Sequence, residues 1–240
     1  MSGTPEVVSL SQLDSDRFGI SVARAPSVTV DTLPEIQQFC VEKGVRLLIA
    51  SCSGTEIETA QALEDSGLRL MAIYLDYAIR TRERPHDPTL RLAGPEDADE
   101  VAAIAKGAFE GHQGHYHADP RLPNDLCNEV YADLARRCCT GEAADITVLA
   151  EEDGRICGVS STRITPPEAR GVFAVVAPWA QGRGIYDRLV LEGGTYCAEQ
   201  NVSRGFAQVS IGNAASQRLL TRLGFRPAGS SLTFHGWFDD

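Results

Sequence analysis

Val172-Phe173-Ala174-Val175-Val176-Ala177-Pro178-Trp179-Ala180-Gln181-Gly182-Arg183-Gly184-Ile185 is the stretch of this 240-residue chain on which its reading turns. The first five residues are apolar and rich in valine, as in a buried strand. Pro178 stops that strand, and from Gly184 onward apolar residues recur at helical spacing. A strand that turns through glycines into a helix sets up an anion site. The first N–H groups of a helix have no partner within it, the helix dipole adds partial positive charge, and Gly182 and Gly184 let the main chain approach a phosphate with no Cβ between. Arg183 supplies a mobile cation, and a pyrophosphate is the expected occupant. A pair of glycines before a helix is also the mark of an ordinary tight turn. A dinucleotide site would want a third glycine and an acidic residue ending the next strand, and a nucleotide-triphosphatase loop would want Gly-Lys-Ser or Gly-Lys-Thr; neither is present.

Downstream, the periodicity predicts a helix over 184–200, a strand over 205–211, a helix over 214–223 and a terminal strand over 232–238. Upstream, strands over 146–151 and 156–164 are joined by Glu152-Asp153-Gly154, a hairpin turn. A helix over 125–138 precedes them. Before it, a short strand over 89–93 leads into a helix opened by Pro95 and Glu96, with Val101, Ile104, Ala105 and Ala108 on one face. The first 80 residues alternate too: extended over 20–25, helical over 32–43 and extended over 45–50. A second helix follows, with Thr55 and Glu58 in a capping-box pattern and Gly67 at its end, before an extended run over 68–79. Residues 80–88 are charged and carry Pro85 and Pro88, so the boundary is expected there. The fold class is α/β, with a small accessory domain over 1–84 and a larger domain over 89–240. No internal sequence repeat is evident.

The run Val-x-Pro-x-x-Gln-Gly-Arg-Gly-Ile, followed by helix, strand, Asn213, helix and Leu223-Gly224-Phe225, resembles the GCN5-related N-acetyltransferase (GNAT) superfamily from about Thr89 onward. Leu90-Arg91-Leu92-Ala93-Gly94-Pro95-Glu96 is similar to that family's first strand and helix. The resemblance implies a mixed sheet that splays between its fourth and fifth strands and an acyl-CoA, acetyl-CoA or another short acyl-CoA, as co-substrate. Its pantetheine arm would lie along 172–176, at Val175 and Val176. Its pyrophosphate would meet the amides of Gln181, Gly182, Arg183, Gly184 and Ile185, and Asn213 would contact the arm. Many family members place a tyrosine, as acid for the leaving thiolate, where this chain has Leu220. Tyr186, which stands where the family usually has glycine or alanine, Tyr196 or water is left for that role.

Three further stretches resemble the dTDP-fucosamine acetyltransferase type within that superfamily: Leu13-Asp14-Ser15-Asp16-Arg17-Phe18-Gly19-Ile20, His115-Tyr116-His117-Ala118-Asp119-Pro120-Arg121-Leu122 and Thr233-Phe234-His235-Gly236-Trp237. They imply an amino group on a nucleotide-linked deoxysugar as acceptor. His115 or His117 is then a candidate base, Tyr116 a platform for the sugar, and Asp119 and His235 substrate contacts. The same loop would also serve another small amine, such as an antibiotic aminosugar or an amino acid, or a non-catalytic acyl-CoA sensor.

The bland readings stand beside these. The histidines of a glycine-rich loop are often simply solvated, and a histidine on a terminal strand is often a packed or interface residue. His112, His115 and His117 lie close enough to suggest a metal, yet no cysteine or Glu-x-x-His pattern completes a ligand set, so none is expected. Trp179 is expected to pack on the helix, and Gly193 and Gly194 to mark a close approach of another element. A formal charge of −11 disfavours nucleic acid and anionic lipid as partners. The absence of a long apolar run or a leader pattern points to a cytoplasmic protein off the membrane, either alone or as a homodimer. The seven cysteines follow no zinc or CxxC spacing and are expected as reduced thiols, several of them core-filling.

Overall fold

The structure, a computed structural model, describes residues 7–109 and 114–238. Its first segment holds β1 (Ser9–Leu10), α1 (Gln12–Phe18), β2 (Val22–Ala25), α2 (Leu33–Glu42), β3 (Leu47–Ser53), α3 (Ile57–Asp65) and β4 (Arg69–Arg80). The second holds β5 (Leu90–Leu92), α4 (Ala98–Ala108), α5 (Asn124–Cys139), β6 (Ile146–Glu152), β7 (Arg155–Thr165), β8 (Glu168–Val176), α6 (Ile185–Glu199), β9 (Arg204–Ser210), α7 (Ala214–Arg222) and β10 (Arg226–Trp237). All ten strands join one open mixed sheet in the order β1-β2-β3-β10-β4-β9-β8-β7-β6-β5.

That order holds a mirror. The run β2-α2-β3-α3-β4 is repeated by β8-α6-β9-α7-β10, with a parallel first pair in each. The last strands are exchanged: β4 pairs antiparallel with β9, β10 pairs antiparallel with β3, and the two pair with each other at the centre. The sheet thus runs unbroken across residues 81–89. Corresponding details match. Leu63 and Leu220 are both fully buried, and the chain leaves α3 and α7 through Gly67 and Gly224, both at positive φ. Leu68 N–H then donates to Leu63 C=O as Phe225 N–H does to Leu220 C=O, each at 3.0 Å. The sequence shows no repeat because a β-α-β crossover needs only apolar alternation and a turn, which many sequences satisfy.

Helices cover both faces, and strand alternation decides which side chain meets which helix. Leu149, Val159, Phe173 and Val175 pack under α4 and α5, whereas Ile146, Val148, Cys157 and Val176 pack under α6. In the first segment Ala23, Leu48 and Ala50 face α2, and Leu47 and Ile49 point to the opposite side, toward Tyr116 and Cys127. All seven cysteines are buried free thiols.

Several local expectations are adjusted. The capping box at Thr55 does not form: α3 starts at Ile57 behind Glu56, and Thr55 Oγ1 instead lies 2.9 Å from Ser53 Oγ. The terminal strand begins six residues earlier than its apolar pattern suggests, because its polar half still finds partners along β4. The hairpin turn is as read, with Asp153 and Gly154 both at positive φ between paired Glu152 and Arg155. Residues 81–89 carry no helix or strand and are largely exposed, yet they do not hang free. His86 lies 2.6 Å from Glu192 and 2.9 Å from Glu199, and Asp87 accepts from Arg188 at 2.7 Å, so this segment is fastened along α6.

Candidate active site

β8 and β9 pair at only three positions, Glu168↔Arg204, Ala169↔Gly205 and Arg170↔Phe206, and then diverge. Just past the fork β8 bulges: Gly171 opposes Thr162 and Phe173 opposes Ser161, which leaves Val172 without a partner on β7. A cavity of about 600 Å³ occupies the fork. Tyr186, Gly193, Asn213 and Leu220 line it from the α6–α7 side, and Tyr131, His115, Arg24 and Tyr74 from the opposite side. Because helices of both faces contribute to one wall, the cavity passes through the sheet.

At the α6 end, the chain leaves β8 through a 3-10 turn, Pro178–Ala180, and enters the helix at Gly184. Gly182 and Gly184 adopt φ of 79° and 73°, which L side chains rarely adopt, and a Cβ on either would meet nothing within 4 Å. The turn therefore faces open space, and no side chain caps the N-terminus of α6. Its first-turn amides are left for an external acceptor, which is the fit a pyrophosphate needs. Gln181 Nε2 donates to Val176 C=O at 3.2 Å and fixes the loop on the strand. Ile185 is buried under the sheet as the first residue of the helix.

Arg183 is not the mobile cation expected from the sequence. It bonds Glu152 of the β6–β7 hairpin at 2.5 Å and Trp179 C=O at 3.1 Å. Trp179 stands 44% exposed beneath the Arg155 guanidinium rather than packed on the helix. Val175 and Val176 are buried and paired with Val159 and Gly158; the strand residues that line the cavity are Gly171 to Ala174. Asn213 lines the cavity and caps α7, accepting from Ser216 N–H at 3.0 Å. Gly193 and Gly194 also face the cavity: a Cβ on Gly194 would meet nothing within 4 Å, and one on Gly193 only Thr162 Oγ1 at 3.6 Å. Their small size leaves the channel open instead of admitting a neighbouring element. Tyr186 borders the cavity, and burial, helped by Asp187, pushes its phenol up to about 12. Tyr196 is turned away, its ring 4.6 Å from that of His86.

On the opposite side, the three stretches spread across the sequence converge. Tyr116 Oη donates to Asp14 Oδ1 at 2.8 Å, and Asp14 in turn accepts from Arg24 Nε at 2.6 Å. Arg24 also bonds the Tyr116 hydroxyl. Asp119 Oδ2 lies 2.7 Å from His235 Nδ1 and accepts from Trp237 Nε1 at 2.9 Å. His235 Nε2 lies 2.9 Å from His115 Nδ1. His115 and Tyr116 line the cavity; His117, Asp119 and His235 do not. His117 instead lies 3.0 Å from Asn128, and Asp119 and His235 are fully buried behind the wall. His112 lies outside the described residues. Among the described residues no cluster of His, Cys, Asp and Glu is arranged to hold a metal, and no helix is long and apolar enough to cross a membrane.

Sequence reasoning missed Arg17, Arg24, Tyr74 and Tyr131 as cavity residues. Arg17 lay inside a quoted stretch, paired here with Asp133 at 2.7 Å; Tyr74 and Tyr131 sit in strand and helix patterns that read as core.

Residues 112–225 match the model of the Acetyltransferase (GNAT) family. A mycothiol acetyltransferase of Tsukamurella paurometabola is 31% identical over 154 residues, 59% of this chain and 49% of that protein. The chain thus spans about half the length of the curated relative it matches. Two solved structures share its fold. A GCN5-related N-acetyltransferase from Kribbella flavida has a TM-score of 0.62 at 16% identity, covering 95% of this chain and 86% of its own. Another from Sphaerobacter thermophilus has a TM-score of 0.61 at 14% identity, covering 96% and 76%. The chain has the GNAT fold, and over residues 112–225 it is similar to the Acetyltransferase (GNAT) family, whose enzymes draw their acetyl group from acetyl-CoA.

Proposed function

We propose that this protein transfers an acetyl group from acetyl-CoA to the primary amine of a small anionic acceptor, for which a dTDP-linked amino-deoxysugar is the leading candidate. The observation that carries this is the cavity through the sheet, lined at one side by Tyr186, in the first turn of α6 just after the glycine turn, and at the other by His115 and Tyr116. Donor and acceptor approach from opposite faces and meet at the bulged strand, so two large molecules reach one reacting carbonyl without sharing a doorway.

On the donor side, first-turn amides of α6 hold the pyrophosphate, and Asn213 faces the arm. The edge of β8 beyond Arg170 has no strand partner from β9. Its N–H and C=O groups bind an extended chain as a further strand would. A main-chain N–H near the Val172 bulge supplies a donor to the thioester oxygen, where charge grows as the amine adds. Tyr186, protonated throughout the neutral range, gives a proton to the departing thiolate.

Arg17, Arg24, Arg80, Arg84 and Arg137 line the cavity, Arg17, Arg24 and Arg137 paired with Asp133, Asp14 and Glu142, whereas Asp133 is the one lining carboxylate among the described residues. In a chain of net charge −11 this concentration of arginine favours an acceptor bearing phosphate or carboxylate. A nucleotide diphosphate meets that demand, Tyr116 offers a ring to a sugar face, and His115 takes the proton of the attacking amine.

The test measures thiol release from acetyl-CoA with dTDP-4-amino-4,6-dideoxygalactose, its 3-amino isomer and unphosphorylated glucosamine, beside calorimetry of acetyl-CoA alone. Turnover on a dTDP sugar and not on glucosamine is the expected result. Turnover on neither sugar nucleotide rejects that acceptor, and an acceptor of the mycothiol kind, favoured by the 31% identical relative, is then tried. Binding of acetyl-CoA without turnover on any amine would mark a sensor, the reading that Leu220 at the usual tyrosine position suggests. No binding rejects the donor site itself.

A further inference from the structure

His115 presents a difficulty as a base. Burial, together with the nearby His235 and Arg24, pushes its imidazole down to about 3, so the ring resists the positive charge a proton brings. Arg24 from β2 and His117 from the same turn add to this resistance, while Asp14 from α1 opposes it. Tyr74 from β4 contacts the ring's own main chain.

The groups behind His115 resolve the difficulty. Asp119, His235 and His115 form a line in which consecutive polar atoms lie 2.7 and 2.9 Å apart, with the two rings nearly perpendicular at 85°. Asp119 and His235 are 2% and 1% exposed, so water does not compete for these bonds. Burial raises the Asp119 carboxyl, but bonds from His235, the Arg121 N–H and Trp237 outweigh it and hold the group below the usual carboxylate range. It is therefore ionised and accepts only. His235 must donate to it from Nδ1, which leaves the lone pair of a neutral His235 on Nε2. The contact at 2.9 Å then requires a proton on His115 Nδ1. The lone pair of His115 falls on Nε2, in a ring that lines the cavity.

We infer that Asp119 and His235 are positioning residues that hold His115 with Nε2 as its basic nitrogen and take up the charge when His115 removes a proton from the acceptor; this rests on the acetyl-transfer reading. The nitrogen lone pair of the acceptor forms the C–N bond as the C–S bond breaks. One proton leaves that nitrogen for His115 Nε2, the proton on His115 Nδ1 passes to His235 Nε2, and the thiolate gains a proton from Tyr186 or water. The cation then lies on His235 against the Asp119 carboxylate at 2.7 Å.

The test needs no acceptor. Long-range proton–nitrogen spectra of the nitrogen-15-labelled full chain at neutral pH read the tautomers, and both His115 and His235 are expected with Nδ1 protonated and Nε2 bare. A proton on His115 Nε2 overturns the proposal. The second readout is the rate at which diethyl pyrocarbonate acylates His115, followed by peptide mass spectrometry, because that reaction also charges Nε2 and sheds the Nδ1 proton. Asp119→Asn keeps the shape and an accepting oxygen but removes the charge, so the rate should fall about tenfold. An unchanged rate in a variant of unchanged circular dichroism shows that Asp119 only packs. Calorimetry of acetyl-CoA on the same samples reads the acetyl-transfer proposal separately.

Discussion

The two β-α-β crossovers of this chain share a topology and differ in one turn. Between β8 and α6 the turn is Gly-Arg-Gly, and the strands part after three paired positions. Between β2 and α2 the turn is Pro26-Ser27-Val28-Thr29-Val30-Asp31, without glycine, and Val28 N–H donates to Ser51 C=O at 2.8 Å, which stitches the turn onto β3. There β2 and β3 pair along all four residues of β2. One crossover is thus open and shaped for an anion. The other is closed, its turn tied to β3 through Val28. The same framework opens a cavity where β8 and β9 part; where β2 and β3 stay paired, it lends Arg24, Ile49 and Ser51 to the wall of that cavity.

The largest way to break this contrast is Gly182→Val combined with Gly184→Val. Each left-handed position would cost roughly 1–2 kcal/mol with an L side chain, and both Cβ branches enter the space the turn faces. Acetyl-CoA affinity should fall by about a hundredfold or more in calorimetry. Unchanged affinity would reduce the loop to a tight turn.

The matched leucines test how far the two halves share one stability. Leu63→Ala should destabilise by about 3 kcal/mol in urea titration; Leu220→Ala, whose side chain borders an existing cavity, should fall near the lower end of about 2–5 kcal/mol. Because β4 and β10 are exchanged across the middle of the sheet, each variant should unfold in one transition. Two separated transitions would show that the halves fold apart.

Tyr186→Phe sharpens the donor side alone. Turnover should fall about tenfold, at the weak end of acid catalysis because a thiol leaves readily, with acetyl-CoA affinity unchanged. With the phenol pushed up to about 12, Tyr186 stays protonated from pH 6 to 10 and adds no limb to the pH profile there. Loss of activity through pH 9 that vanishes in the phenylalanine variant would contradict this.

The smallest effect concerns the segment that joins the halves. Bonds from Glu192 and Glu199 raise the pKa of His86. A raised histidine stabilises the fold fully below its unfolded value, near 6.5, and loses that contribution as pH climbs through the folded value. The melting temperature should therefore drop slightly in His86→Ala at pH 6 and not at pH 9. A gap that widens with pH would have the wrong sign.

Much of this was legible beforehand for a physical reason. The strand, turn and helix at residues 172–199 are encoded by neighbours in the chain, so they could be read where they stand. The stretches around Asp14, His115 and His235 were also picked out, but which of their side chains would touch was not. His115 and His117 are equivalent in sequence terms, and the irregular turn over 114–122 has no period that says which faces the cavity. Arg183 was misjudged because its partner, Glu152, lies 31 residues away on a hairpin brought alongside only by the sheet.

By itself, then, the sequence determined the element types and the strand, glycine turn and helix at residues 172–199. These depend on local backbone preference and on apolar periodicity, which are written within a dozen residues. Only the tertiary structure decided that β4 and β10 exchange places, that the fork of β8 and β9 opens through the sheet, and that Asp119, His235 and His115 fall into line. Each of those depends on register between segments from 36 to more than a hundred residues apart, where hydrogen-bonding geometry and burial, rather than any local pattern, select the pairing.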